Sequence, residues 1–264
     1  MEPSDINRRA AELRPTLYPE LEHEELWTLV PRLLVDAGYS VPQSAVGKLL
    51  CVDDRSATVS CAALERLFLL ELWSKGVCYG GGKTEDARAM ADAVGAFVLG
   101  RATVDEMVRR FPWLELNDAA RAHEAGRLVE ATWTWRLSRT DAIDRLLMPL
   151  FEACARRPRL RALMPFTSHE TLLFSRTTGY PYDSLAVCAR PVYDPSSRSQ
   201  QQYVEQFVPG RYEVLRRGLQ PIAPVDNARR TFGTGDAEWA ATTLESEVPS
   251  TWGAAVDGTA EDSR

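Results

Sequence analysis

The sequence predicts an α+β protein: a small antiparallel sheet with flanking helices, a central helical segment, further β-strands, and a disordered acidic C-terminal tail. Three observations carry that expectation. Short β-rich runs cluster between Ser44 and Tyr79, apolar residues recur at helical spacing between Thr84 and Cys154, and the apolar pattern fades beyond Gly218. A chain of 264 residues with 45% hydrophobic content is long enough to bury a sizeable core, as one large domain or two smaller ones. The expected segmentation is an N-terminal α+β unit at 1–101, a helical segment followed by strands at 102–218 that is able to join it in one domain, and a tail at 219–264.

Each element has its own signal. From Glu20 to Ala37, Leu26, Leu29, Val30, Leu33 and Leu34 fall at three-and-four spacing, which gives an amphipathic helix ended by Gly38, with Pro31 kinking or interrupting it. The runs AVGKLLCV, ATVSCAAL, RLFLLELW and GVCYG follow, separated by DDRS and SKG turns, and read as antiparallel strands. Thr84 offers a cap for a helix whose face carries Met90, Ala91, Val94, Phe97 and Val98 and which stops at Gly100. Thr103 to Phe111 is a short helix, and Asn117 or Asp118 caps a longer one to about Leu137, placing Trp133 in the core. Another stripe runs through Ile143, Leu147, Leu150, Phe151 and Cys154, with Pro149 kinking it or opening a second helix. After Pro165 the runs ETLLFSR, LAVCARPV, QYVEQF and RYEVLRR are strand-like. The tail carries only isolated Trp239, Leu244 and Trp252, so it is expected to contribute little stability.

Composition excludes several classes of function. The net charge of −6 and pI near 5.3 argue against general nucleic-acid binding, which needs a basic surface. The N-terminus lacks the apolar core of a secretory signal, and no apolar run approaches a membrane span, so a cytoplasmic protein without membrane contact is expected. Five cysteines, Cys51, Cys61, Cys78, Cys154 and Cys188, show no CxxC spacing and read as reduced thiols, with Cys78 the leading nucleophile among them. The three histidines, His23, His123 and His169, lack zinc-ligand spacing, so neither metal nor cofactor is expected. Gly80 to Thr84 spell GGGKT between a strand and a helix, yet a phosphate-binding loop needs glycine at position 77, where Val77 stands. The expectation there is a strand-to-helix turn capped by Thr84. No GxSxG elbow exists, and Ser168 beside His169 projects to the opposite face of an extended segment.

The most distinctive stretch runs from Arg109 to Pro181. It contains RRFPWL, NDAARAHEAGRLVEATWTW and RRPRLRALMPFTSHETLLFSRTTGYP. Over roughly residues 40 to 190 these blocks resemble a bacterial natural-product biosynthesis family labelled only as a domain of unknown function. The resemblance implies a pathway context, names no reaction, and draws attention to Arg161, Pro165, Ser168, His169, Phe174, Ser175 and Arg176, which match its recurrent block.

The same residues have a chemistry of their own. Alternation along TSHETLLFSR puts Leu172, Phe174 and Arg176 on one face with Glu170, and an arginine on an apolar face requires a carboxylate, such as Glu170, Glu124 or Glu130, or an anionic ligand. His169 is the candidate general acid or base, with Arg176 the second candidate catalytic residue. Arg156, Arg157, Arg159 and Arg161 surround Pro158 and are able to clamp an acidic group, so Arg157 and Arg161, with Ser168 and Ser175, are the candidate substrate contacts.

The leading expectation is a tailoring enzyme or essential accessory acting on a ribosomally made, lanthipeptide-like precursor or a small-molecule intermediate, alongside other enzymes of its cluster. The alternatives are a non-catalytic module that presents a precursor to partner enzymes, and a cofactor-independent cyclase or isomerase. Elemental analysis of the purified chain is expected to find no stoichiometric zinc, and ATP titration no micromolar binding that Lys83→Ala removes; either finding refutes this reading of the motifs.

Overall fold

The computed structural model describes residues 3–42, 49–168, 170–194, 196, 206–216 and 231–262. The chain forms two compact units, Met1–Gly126 and Arg127–Arg264. Each is an antiparallel five-stranded sheet with helices packed against it, so the α+β class is observed. Among the described residues no helix is long and apolar enough to cross a membrane.

In the first unit, α1 (Pro3–Leu17), a 3-10 turn (Pro19–Leu21) and α2 (Leu26–Asp36) precede the sheet. The strands β1 (Leu49–Val52), β2 (Arg55–Cys61), β3 (Phe68–Ser74), β4 (Val77–Thr84) and β5 (Leu114–Leu116) lie side by side in chain order. The alternation in β3 works as the sequence dictates: Phe68, Leu70 and Leu72 are buried while Leu69 and Glu71 face out. Helix α3 (Ala87–Val94) runs on into one π turn (Gly95–Leu99), where the Gly100 N–H reaches the Gly95 carbonyl. Met90, Ala91, Val94, Phe97 and Val98 are all buried. The short α4 (Val104–Arg110) opens with a capping box between Thr103 and Glu106, and α5 (Asp118–Glu124) is capped by Asn117.

Buried Arg55 ties this unit together. Its Nη1 donates to the Phe97 carbonyl at 3.0 Å and the Ala102 carbonyl at 2.7 Å, its guanidinium lies over the Phe97 ring, and Glu124 stands 3.9 Å away. The π turn exposes carbonyls that a regular helix would use internally, and the arginine satisfies them.

Two details correct the expectations for this unit. GGGKT is not a strand-to-helix turn: Gly80 to Thr84 are the second half of β4. Gly80 sits at a bulge with φ of 105°, and a Cβ on Gly81 would lie 1.9 Å from the Leu70 carbonyl oxygen, so close strand approach explains the glycines. The cap of α3 is Asp86, whose carboxylate accepts from the Arg88 and Ala89 N–H groups, while Thr84 Oγ1 accepts from the Asp86 N–H. The long helix expected to Leu137 is two helices, because Gly126, at φ of 66°, ends the first. Ala122 therefore serves the first unit and Trp133 the core of the second. Residues 45–48 of the expected AVGKLLCV strand lie outside the described residues.

The second unit begins with α6 (Leu128–Ser138), α7 (Ala142–Ala155) and α8 (Pro158–Arg161). Its sheet is β6 (Met164–Ser168), β7 (Thr171–Ser175), β8 (Val187–Tyr193), β9 (Phe207–Arg216) and β10 (Thr231–Gly235), again in chain order, followed by α9 (Ala237–Ser246). Trp133 packs edge-on to Phe151 and tilted against Phe174, and its Nε1 donates to the Leu163 carbonyl at 3.2 Å. Pro149 sits inside α7 and has no N–H to give back along the helix. The buried Tyr212 hydroxyl meets the same turn: it donates to the Leu146 carbonyl at 2.9 Å and accepts from the Leu150 backbone, and burial pushes its pKa up to about 12. Most of the QYVEQF run lies outside the described residues, and β9 starts at Phe207.

The expected disorder of the tail is corrected from Thr231 onward. Strand β10 pairs with β9, and Asp236 caps α9 by accepting from the Trp239 N–H at 2.9 Å. Ala240, Ala241, Leu244 and Val248 are buried in the core of the second unit. Their spacing is a helical stripe made mostly of small residues, which is why it passed as a polar tail. Residues 252–262 continue along the 176–181 segment through backbone hydrogen bonds. Leu244→Ala is thus expected to cost about 2 to 5 kcal/mol, read as a clear fall in melting temperature by circular dichroism; an unchanged melting temperature would contradict a docked α9.

Candidate functional site

The arginines around Pro158 are held by α9. Pro158 opens α8 at its first turn and fans the neighbouring side chains outward. Arg156 and Arg157 both pair with Glu238, Arg157 at 3.0 Å, and Arg157 also donates to Thr242 Oγ1 at 2.8 Å. The Arg156 hydrogen bond holds the Glu238 carboxyl below its usual range. The Arg159 N–H reaches Glu245, and its guanidinium reaches the Val248 carbonyl. Arg161 lies over the Trp133 ring, 5.1 Å from its centroid.

The remaining candidates form a separate group at the end of β7. That strand is buried on both faces from Leu172 to Ser175, so simple alternation does not sort it. Arg176 is paired, through Nε at 2.7 Å and Nη2 at 2.6 Å, with Asp183, which is none of the three carboxylates expected from the sequence. Trp252 lies under its guanidinium. The Ser175 hydroxyl is fully buried and shared among the Thr177 hydroxyl, the Thr177 N–H and the Asp183 carbonyl. Ser168 ends β6 and is exposed, and His169 lies outside the described residues. The described contacts thus join Arg157 to α9 and join Ser175 and Arg176 through Asp183.

A cavity of about 560 Å³ lies in the first unit, a size typical of small-molecule pockets at roughly 300 to 1,000 Å³. Its walls come from α1, the 3-10 turn, α2, and strands β1 and β2. Leu21, Val30, Leu50 and Val59 supply an aliphatic lining, and Trp27, 42% exposed, stands among the lining residues as a large apolar surface left in water. Tyr18 is a fixed wall. Its hydroxyl sits 2.8 to 3.0 Å from the Ala62, Glu65 and Leu67 carbonyls and accepts from the Leu67 N–H, and burial raises its pKa. Burial also pushes the Cys61 thiol up to about 11, so near neutral pH it lines the cavity as a small protonated group and not as a nucleophile. Burial likewise raises Cys78, which weakens its standing as a nucleophile. Among the described residues of the lining Arg14 brings the one formal charge, and it pairs with Glu25 at 2.9 Å.

Sequence reasoning missed this cavity, since no local motif joins residues 10–31 to residues 50–63. It also missed the buried contact of 2.8 Å between the Tyr79 hydroxyl and His123 Nδ1, whose partners stand 44 positions apart. Among the described residues, no group of three or more His, Cys, Asp or Glu side chains gathers to hold a metal ion.

Residues 127–202 match a family of unknown function, DUF6193. The match begins at the second unit and takes in the RRPRLR and TSHETLLFSR blocks, whereas the FPWL block at 111–114 lies before it. Neither the curated proteins nor the solved structures contain a match to the chain.

The raised Cys61 pKa fixes a pH window. Stability from the protonated thiol is fully present below the unfolded value near 9 and is lost as pH rises toward about 11. Iodoacetamide at pH 8, followed by peptide mass analysis, is expected to label exposed Cys51 well before Cys61, with Cys61 labelling accelerating between pH 9 and 11. Equal rates at pH 8 would contradict the burial of this thiol.

Proposed function

We propose that the chain is a ligand-binding accessory protein whose first unit takes up the apolar body of a pathway intermediate and presents it to partner enzymes. The supporting observation is the aliphatic cavity with Trp27 in its lining. Desolvating such a lining drives binding at about 25 cal/mol per Å² of apolar surface. A catalytic reading built on Arg176 and Ser175 finds less support, because both are occupied by Asp183 and its neighbours. The setting we propose is cytoplasmic natural-product biosynthesis, including tailoring of a ribosomal peptide, and it rests on the resemblance of the sequence blocks between Arg109 and Pro181.

The uncharged fluorophore N-phenyl-1-naphthylamine tests the cavity. One saturable site per chain is expected, and Ala10→Trp, which fills the space from α1, is expected to weaken binding at least about tenfold, or roughly 1.4 kcal/mol. Absence of a saturable site, or equal binding by the folded variant, would remove the cavity as the functional centre.

A further inference from the structure

We infer that the ligand of this cavity is an amphiphile with a carboxylate head, its apolar body inside and its head paired with Arg14. The inference rests on reading the cavity as a binding site and adds the chemistry of the ligand. Among the described residues of the lining, Arg14 of α1 is the only formally charged one. Cys61, whose thiol feels the Arg14 charge, belongs to the same lining. A cation at the edge of an apolar space selects for a ligand that has both a chain and an anion.

The guanidinium is not locked by its present partner. Glu25 accepts from Nη2 alone, at 2.9 Å, and the two side chains are 50% and 49% exposed. Pairs this exposed stabilise weakly, and a guanidinium offers five N–H donors in a planar fork that fits a carboxylate along two parallel bonds. A ligand carboxylate would share or displace Glu25, while its chain removes Trp27 and the aliphatic walls from water. Two other arginines of this unit are already paired: Arg66 with Glu20 at 2.8 Å, and Arg32 with Glu24. Ser60 and Thr58 add hydroxyls to the lining that suit an oxygen-bearing ligand.

Calorimetric titration of the full chain with decanoate, decanol and decylamine, each below its micellar concentration, separates the possibilities. Decanoate is expected to bind at least about tenfold tighter than decanol, and decylamine no better than decanol. Arg14→Met should cut the decanoate advantage to about twofold or less and leave decanol unchanged, whereas Glu25→Gln should tighten decanoate by removing its competitor. An Arg14→Met variant that keeps the full advantage, or a preference for decylamine, overturns the carboxylate assignment and leaves the cavity reading standing. If none of the three binds and N-phenyl-1-naphthylamine also fails, the cavity reading itself is lost, and this inference goes with it.

Discussion

Arg156 and Arg157 pair with Glu238, 82 and 81 residues later on α9, and the Arg159 backbone N–H donates to Glu245, 86 residues later. The second unit is organised around that long-range pairing. Each exposed ion pair contributes at most about 1 kcal/mol, so the charges do not hold the helix by strength. The stripe of Ala240, Ala241, Leu244 and Val248 supplies the burial. Such a smooth, small-residue stripe defines position along the helix axis poorly, and the arginine contacts to Glu238, Thr242 and Glu245 supply the register it lacks. Trp133 depends on the same arrangement from the other side, with Arg161 over its ring and the Leu163 carbonyl on its indole nitrogen.

The first unit solves a different problem. Its helical layer ends in a π turn and a loop leads into β3, and backbone carbonyls there are met by side chains. Arg55 does this for Phe97 and Ala102, and Tyr18 does it for the loop that leads into β3. Both are large side chains with a polar end delivered to carbonyls deep in the fold. Tyr18 also walls the cavity, so the groups that complete the backbone hydrogen bonding and the groups that shape the pocket are partly the same.

Much of the architecture was legible in the sequence, because strong local patterns dominate where they occur. Phe68, Leu70 and Leu72 alternate as a half-buried strand must, and Met90 through Val98 mark their helix even through its π turn. The failures share a cause: a residue whose role is set by a distant neighbour. The glycines of β4 look like a loop until the approach of the Leu70 carbonyl is known. The tail looks disordered because alanine carries little apolar weight in a sequence, yet Ala240, Ala241 and Leu244 of α9, with Val248 just beyond its end, are buried in the core of the second unit. Arginines whose partners stand more than eighty residues away read as a substrate clamp for the same reason. The cavity was illegible for the same reason, being made where α1, α2 and β2 meet.

The backbone hydrogen bonds from Val256 to Arg176 and from Gly179 to Gly258 give the second unit a property of timing. A ribosome makes the two partners of each bond about eighty residues apart, and the interval is several seconds at about 5 to 20 residues per second. The residues of the first unit, Met1–Gly126, are all made before that interval begins. The core of the second unit, which counts Ala240, Ala241, Leu244 and Val248 among its residues, is therefore complete only once residue 248 has been made.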